Sequence, residues 1–188
     1  LVRSQKHTQG QDPTGRLVEI PLIQGDWKKR PNYPTKDGVV IAYCPPEHVA
    51  AEMDLLLAMH AAHVTEDVAP EVEAAWLHHR FCQIHPFQDG NGRVARALAS
   101  FVLIRAGLFP LVVTRDDKGR YLDALAAGDA GDLKPLVDLF AYLQRVQFRK
   151  ATAMSESMLS AGAGVAAMLG SLRNAADRAR EKREKELQ

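Results

Sequence analysis

The prolines and glycines between Arg16 and Pro46 limit what the first part of this chain can form, because neither residue supports the interior of a long helix. Two short segments there, RLVEIPLI and GVVIAY, are rich in branched residues and bounded by turn formers, which predicts extended strands. Residues 1–15 are polar and contain glycine, so we expect an irregular lead-in. This part of the chain therefore predicts only a small β element.

From Pro46 onward the apolar residues recur at helical spacing, which predicts a series of helices. Proline at a first helical turn starts the first of them, and glycine followed by proline ends the most apolar one. The predicted helices run from Pro46 to about His60, Pro70 to Gln83, the interior of HPFQDGNGRVAR to Gly107, Lys118 to Ala127, and Leu133 to Val146, with a charged helix at the C-terminal end. We therefore predict a mainly α fold, with one domain over residues 16–147 and a helical extension over residues 148–188.

The composition is that of a globular domain, since 46% of the residues are hydrophobic, 25% are charged and the net charge is +1. So small a net charge does not favour nucleic acid as a partner. The longest uncharged stretch, Ser157 to Leu172, is too short and too weakly apolar to cross a bilayer, so we expect no membrane insertion. Two cysteines without a CxxC pair, and no visible signal peptide, predict a cytoplasmic protein.

The segment HPFQDGNGRVAR crowds polar groups between two apolar stretches and precedes a predicted helix. The backbone N–H groups of Gly90, Asn91 and Gly92 are therefore candidates for the unpaired donors of a helix N-terminus, where anions bind. Glycine also lets a phosphate approach the backbone closely, because no Cβ intervenes. Arg93 and Arg96 are three residues apart, so both guanidinium groups can reach the same anion. This pattern predicts a site for a diphosphate or a triphosphate.

Two further side chains of the same segment supply chemistry. Asp89 offers a hard oxygen ligand beside the phosphates and is the candidate ligand for Mg²⁺, which needs few protein carboxylates. His85 has a near-neutral intrinsic pKa, so it can take a proton from an incoming hydroxyl. Together these residues predict the transfer of a phosphorus-containing group.

Each of these residues also has a structural explanation. His85 taken alone could be an ordinary hydrogen-bonded residue, and Asp89 could merely cap the following helix. Arg93 and Arg96 could pair with surface carboxylates. The histidines at positions 78–79, together with His85, suggest zinc, but their spacing matches no common site and no cysteine or acidic ligand lies at helical spacing. We therefore expect no metal at that trio.

The segment resembles the signature of the Fic family, HxFx(D/E)GNGRxxR. The similarity extends outward to the run HHRFCQIHPF before the signature and to RYLDALAAGDAGDLKPLVDLF after it, so that roughly residues 15–146 are covered. The matched signature positions are His85, Phe87, Asp89, Gly90, Asn91, Gly92, Arg93 and Arg96. The resemblance implies the family's all-α core with a small β-hairpin flap.

The resemblance also implies a function, because most Fic proteins transfer AMP from ATP to a hydroxyl group of a target protein and release pyrophosphate. His85 would be the base that activates the target Ser, Thr or Tyr, and Asp89 would bind Mg²⁺. Phe87 would anchor the loop, while Tyr121 would lie against the adenine, although core packing explains Tyr121 equally well. The residues implied in binding the nucleotide are Gly90, Asn91, Gly92, Arg93, Val94, Arg96 and Tyr121.

The implied flap near residues 36–44 has a physical rationale of its own. An exposed hairpin edge could add the backbone of a target protein as an extra strand and so bring its hydroxyl to His85. Since main-chain pairing accepts many sequences, the flap does not identify the target. The implied target-binding residues are Val39, Val40, Ile41, Ala42 and Tyr43.

Regulation and the exact reaction stay open at this stage. Many Fic proteins are inhibited by an (S/T)xxxE(G/N) helix, whose pattern does not occur here, since Ser157 follows Glu156 where Gly or Asn is expected. An inhibitory helix or an antitoxin partner could act in trans. Gly90 favours the nucleotidyl reaction, but transfer of UMP, phosphocholine or phosphate, and a regulator that only binds nucleotide, remain alternatives.

Overall fold

The protein is described by a computed structural model that covers residues 6–12, 14–32, 35–36, 39–41 and 43–186. The chain divides into two units, Leu1–Gln144 and Arg145–Gln188. The first unit contains every residue of the HPFQDGNGRVAR segment, and the second consists of the distal part of one long helix. No helix in the described ranges is both long enough and apolar enough to cross a membrane.

The first unit begins with a β-hairpin in which β1, His7–Gln11, pairs antiparallel with β2, Leu17–Pro21. The expectation of an irregular lead-in over residues 1–15 is therefore wrong for β1. The hairpin forms because Asp12 Oδ1 accepts hydrogen bonds from the backbone N–H groups of Thr14 and Arg16, which tightens the turn. A polar strand on a hairpin edge gives little apolar alternation, so the sequence pattern did not predict it.

A second, shorter hairpin lies where the flap is predicted. Its strands β3, Thr35–Lys36, and β4, Val39–Val40, are antiparallel, with Thr35 opposite Val40. Two of the predicted flap residues, Val39 and Val40, form β4, and Ile41 follows it. Ala42 lies outside the described residues. The predicted mainly α fold with a small hairpin is confirmed.

Five α-helices follow among the described residues, and proline or glycine marks several of their ends. A short 3₁₀ turn, Pro46–His48, leads into the first helix, α1 (Val49–Thr65). Gly107 has a positive φ of 75° just after the third helix, α3 (Asn91–Arg105), ends. The ends of the first four differ from the predicted ones by only a few residues. The helices are α1 Val49–Thr65, α2 Pro70–Ile84, α3 Asn91–Arg105, α4 Lys118–Asp129 and α5 Lys134–Glu186.

The long α5 replaces the separate helices predicted from Leu133 to Val146 and at the C-terminal end. The chain contains no proline after Pro135, so nothing in it removes a helical hydrogen bond. In the first unit, α5 contributes Leu136, Phe140 and Leu143 to the core. In the second unit, large apolar side chains lie in solvent, namely Met154, Met158, Leu159, Met168, Leu169 and Leu172.

Helices α2 and α3 form the centre of the first unit and position the segment that joins them. Fully buried alanines, including Ala74 on α2 and Ala99 on α3, keep the side chains there small, so helix backbones can approach closely. On α1, His60 and His63 each hydrogen-bond through Nδ1 to one carboxylate oxygen of the buried Glu73 on α2, at 2.5 and 2.6 Å. These contacts fix α1 against α2 at the end remote from the motif.

Candidate active site

His85 is the first residue after α2 and has a left-handed backbone, with a φ of 51°. Its backbone N–H still donates to the Phe81 carbonyl at 2.9 Å, which ends the helix. Its ring Nδ1 lies 3.2 Å from the Cys82 carbonyl oxygen. Because a carbonyl can only accept, the ring proton belongs on Nδ1, and Nε2 carries the lone pair of a neutral imidazole.

The surroundings of His85 favour that neutral form. The pKa of His85 is lowered to about 4, chiefly by burial; the positive charge of Lys28 acts in the same direction, and the Cys82 carbonyl and Asp89 act in the opposite one. The ring of Tyr43 stacks on the imidazole, with centroids 3.8 Å apart and planes 10° from parallel. Tyr43 is a predicted flap residue, and in the structure its side chain lies on the candidate base.

The turn from His85 to α3 is held rigid by Asn91, which is 2% exposed. Its side-chain Oδ1 accepts from the Phe87 backbone N–H at 2.9 Å, and its Nδ2 donates to the Phe87 carbonyl at 2.7 Å. The Phe87 ring packs near Trp27 and Phe81, at centroid distances of 5.3 and 6.2 Å. The amide of Asn91 thus uses its oxygen and one of its N–H groups within the turn.

The N-terminus of α3 has the geometry of an anion site. Gly90 precedes the helix with a φ of 84°, a left-handed conformation that L side chains rarely adopt. The backbone N–H groups of Arg93 and Val94 both donate to the Gly90 carbonyl at 3.0 Å. Those of Asn91 and Gly92 donate to no acceptor within the described part of the chain. Two donors and the positive end of the helix dipole are therefore available to an anion.

Asp89 lies beside this terminus with its side chain one-third exposed. Its Oδ2 is 3.8 Å from Nη2 of Arg93 and accepts a hydrogen bond from the Thr8 hydroxyl at 3.4 Å. Thr8 belongs to β1 and is 81 positions from Asp89 in sequence. The sequence analysis missed Thr8, because no local pattern connects a polar lead-in to a helix that far away.

Tyr121 lies in the core of the first unit, only 8% exposed, with its hydroxyl 2.9 Å from Nε2 of His78. Burial raises the pKa of Tyr121 to about 12, and a hydrogen bond with Arg96 opposes that effect. The ring therefore offers little free surface to an adenine, and the packing interpretation is the one the structure favours. Arg96, which is partly exposed near the start of α3, lies close to the same hydroxyl.

The histidines considered for zinc do not converge on a common point. His78 hydrogen-bonds to Tyr121, while His79 Nε2 lies 3.0 Å from an Asp129 carboxylate oxygen. Burial lowers the pKa of His78 to about 3, as for a neutral core residue. Among the residues that the structure describes, no group of three or more His, Cys, Asp or Glu side chains could hold a metal ion.

Lys28 is a second residue that the sequence analysis missed. It is 3% exposed, and burial lowers its pKa to about 8. Its Nζ lies 5.9 Å from the centroid of the Tyr43 ring. In the sequence it is one of two adjacent lysines, and nothing in the pattern DWKKRPN distinguishes the buried one from its exposed neighbour.

The fold and the site together define a helical domain that holds a partly buried histidine close to a helix N-terminus, where two N–H groups donate to no acceptor in the described residues. The sequence model of the Fic/DOC family matches residues 6–103, more than half of the chain. The chain therefore belongs to the Fic/DOC family.

Curated relatives match a part of the chain. The protein adenylyltransferase Fic of Aedes aegypti is 39% identical over 72 residues, which are 38% of this chain and 14% of that protein. The protein adenylyltransferase fic-1 of Caenorhabditis elegans is 32% identical over 92 residues, 49% of this chain and 18% of that protein. The chain thus matches less than a fifth of the length of these relatives.

Solved structures match more of the chain. A Fic domain-containing signaling protein from Bacteroides thetaiotaomicron has a TM-score of 0.61 at 36% identity, over 64% of this chain and 52% of that one. Fic-1 of Caenorhabditis elegans has a TM-score of 0.57 at 28% identity, over 66% of this chain and 38% of that one. These likenesses agree with the helical core described above.

Proposed function

We propose that this chain is the catalytic domain of a protein adenylyltransferase, which transfers AMP from Mg-ATP to a hydroxyl side chain of a target protein. The observation that carries the proposal is the position of His85, whose ring Nδ1 lies against the Cys82 carbonyl. The residue comes shortly before the N–H groups of Asn91 and Gly92, which donate to no acceptor in the described part of the chain. Membership of the Fic/DOC family and relatives named protein adenylyltransferases support the same reaction.

In the proposed step, the hydroxyl oxygen of a target Ser, Thr or Tyr attacks the α-phosphorus of ATP. The bond from the α-phosphorus to the oxygen that bridges it to the β-phosphate breaks, and pyrophosphate leaves with the electron pair. The hydroxyl proton passes to Nε2 of His85. The negative charge of bound phosphates raises the pKa of the imidazole, so the base becomes stronger when the nucleotide is present.

The phosphates are proposed to bind at the start of α3. The backbone N–H groups of Asn91 and Gly92 donate to them, and the guanidinium groups of Arg93 and Arg96 balance their charge. Nothing in the fold itself requires glycine at position 92, since a Cβ there would meet only the Nη1 atom of Arg96 at 3.4 Å. The lack of a side chain leaves room for a phosphate against the backbone.

Asp89 is proposed to hold Mg²⁺. A partly exposed carboxylate beside a polyphosphate site suits this ion, which takes oxygen ligands and keeps several waters. When bound, the ion neutralises charge on the phosphates. The Thr8 hydroxyl on β1 donates to Oδ2 of this carboxylate and so orients it. Arg93 forms an ion pair with the same oxygen.

The target protein is proposed to add a strand at the β4 edge, using Val39, Val40 and Ile41. The backbone of β4 is extended and antiparallel to β3, which supports main-chain pairing there. The partner is then a protein segment in extended conformation. A reducing cytoplasm, which suits the two free cysteines, is the proposed setting.

The experiment is an incubation of the protein with ATP labelled at the α-phosphate, Mg²⁺ and a cell lysate. We expect labelled protein with the wild type, no label with His85→Ala, and wild-type label with His48→Ala, which removes an exposed histidine. Label from the γ-phosphate instead would replace the proposal with phosphate transfer. Equal ATP binding by wild type and His85→Ala, with no labelling by either, would indicate a regulator that only binds nucleotide.

A further inference from the structure

Lys28 makes two hydrogen bonds to the backbone on either side of His85. Its backbone N–H donates to the Pro86 carbonyl at 2.8 Å, and its Nζ donates to the Ile84 carbonyl at 3.4 Å. One residue thus holds the carbonyl before His85 and the carbonyl after it. Since Lys28 is 56 positions from Ile84 in sequence, this is a tertiary contact that the fold has to build.

The backbone at His85 needs such support. A left-handed conformation is unfavourable for a residue other than glycine, and it persists only where surrounding contacts hold it. Ile84 is the last residue of α2, so its carbonyl belongs to the negative end of the helix dipole. A positive charge at the C-terminal end of a helix is favourable. The ammonium group of Lys28 supplies one at the end of α2, next to the turn that carries His85.

A structural role alone does not require a lysine at this position. Lys28 takes part in none of the ion pairs among the described residues, although it is almost fully buried. Burying an ammonium group without a carboxylate is costly, and an apolar side chain of similar size avoids that cost. The depressed pKa of Lys28, at about 8, reflects the same burial.

We propose that Lys28 is the positioning residue of His85, which fixes the left-handed turn through the carbonyls of Ile84 and Pro86 and keeps a positive charge beside the imidazole. The charge disfavours protonation of the ring and so helps to keep the imidazole neutral in the protein without nucleotide. The catalytic part of this inference rests on the proposed adenylyl transfer, whereas the geometric and electrostatic parts do not.

The groups that face His85 come from four elements. Lys28 lies on the segment after β2, and Tyr43 covers the ring from the segment after β4. On α2, Cys82 supplies its carbonyl, and burial raises the pKa of its thiol to about 12, so the thiol adds no charge at neutral pH. The turn before α3 supplies Asp89, whose negative charge acts against that of Lys28.

The test compares Lys28→Met, which keeps the length of the stem, with Lys28→Arg, which keeps a charged donor. Lys29→Met is the matched control, because the Lys29 side chain is 61% exposed and pairs with Asp26. Three quantities are measured on the full chain: the pKa and tautomer of His85 by NMR of labelled histidine, the rate and KM of labelling by ATP, and the melting temperature.

For Lys28→Met we expect the pKa of His85 to rise by about one unit. We also expect the labelling rate at saturating ATP to fall about tenfold, with the KM for ATP unchanged, because a misplaced base slows the chemical step. For Lys28→Arg we expect a pKa of His85 and a labelling rate close to those of the wild type, and for Lys29→Met we expect wild-type values. A folded Lys28→Met protein with the pKa and tautomer of His85 unchanged would overturn the inference, even if its melting temperature fell.

The wild-type protein provides a second test that needs no folded variant. As Lys28 loses its proton near pH 8, we expect the ring resonances of His85 to shift in the same pH range. Resonances of His85 that stay constant while Lys28 titrates would overturn the inference. If His85 responds to Lys28 but the wild type labels no protein, the adenylyl transfer fails and the positioning by Lys28 stands.

Discussion

Replacing Asn91 tests whether the turn before α3 depends on this one side chain. Asn91→Ala removes the acceptor for the Phe87 N–H and the donor to the Phe87 carbonyl, both in a partly buried site. Each lost hydrogen bond costs about 1 kcal/mol, and a polar group left unpaired costs more, so we expect the free energy of unfolding to fall by about 2–4 kcal/mol. That is a large part of the stability of a typical domain.

Asn91→Asp refines the same test, because it keeps the shape and the acceptor but removes the donor. An ionised carboxylate would face the Phe87 carbonyl, so the introduced group has a pKa raised above its unfolded value. The stability of the variant is therefore greatest at a pH below the pKa that this carboxyl group has in the unfolded chain, and it is lost as the pH rises through the pKa of the group in the folded protein. The difference in free energy of unfolding between Asn91→Asp and the wild type should thus be larger at pH 7 than at pH 4.

The assay is urea unfolding of wild type, Asn91→Ala and Asn91→Asp at both pH values, analysed with a common slope. Phosphate binding to the same proteins reports whether the α3 terminus keeps its shape. An Asn91→Ala protein within about 0.5 kcal/mol of the wild type would refute the reasoning, because surface substitutions have effects of that size. A gap for Asn91→Asp that does not change with pH would also refute it.

Three further predictions concern the supporting structure. Gly128→Ala should lower the free energy of unfolding by about 1–3 kcal/mol, since a Cβ there would lie 2.7 Å from the His79 ring. Gly119→Ala on the same helix is the control, because its Cβ meets no atom within 4 Å, and it should stabilise the protein in a urea titration. Glu73→Ala should lower the melting temperature, because two histidines of α1 lose their shared acceptor, and an unchanged value would contradict this role. Burial holds the pKa of His78 at about 3, against an ordinary value of 6.5, so the unfolded chain takes up a proton first. The free energy of unfolding should therefore fall as the pH drops from 6.5 towards 4, by at most about 1.4 kcal/mol per pH unit from this residue. The variant His78→Gln should show a shallower dependence on pH, and an equal dependence would contradict the role of His78.

Most of the helical fold could be predicted from local signals. The start of α2 follows from Pro70 and the start of α3 from Gly90 just before it, and both effects are confined to neighbouring residues. The β1 strand was not predictable, because its residues are polar and its pairing depends on the distant strand β2. The continuity of α5 depends on the absence of proline after Pro135, since its glycines keep the helical hydrogen bonds. This is a weak signal when apolar and charged segments look like separate helices.

For the site, the sequence identified the residues of the motif but not what holds them. The order His85, Asp89, Asn91 is visible in the sequence, whereas the left-handed backbone of His85 and the internal use of the Asn91 amide are not. Thr8 and Lys28 reach the motif from 81 and 56 positions away. Such contacts arise from tertiary packing, so no spacing rule within the motif contains them.

The most direct measurement is a crystal structure of the protein with Mg²⁺ and a non-hydrolysable ATP analogue. We expect the β- and γ-phosphates on the backbone N–H groups of Asn91 and Gly92, with the α-phosphorus facing Nε2 of His85. A nucleotide bound elsewhere, or an α3 terminus occupied by one of the protein's own side chains, would contradict it.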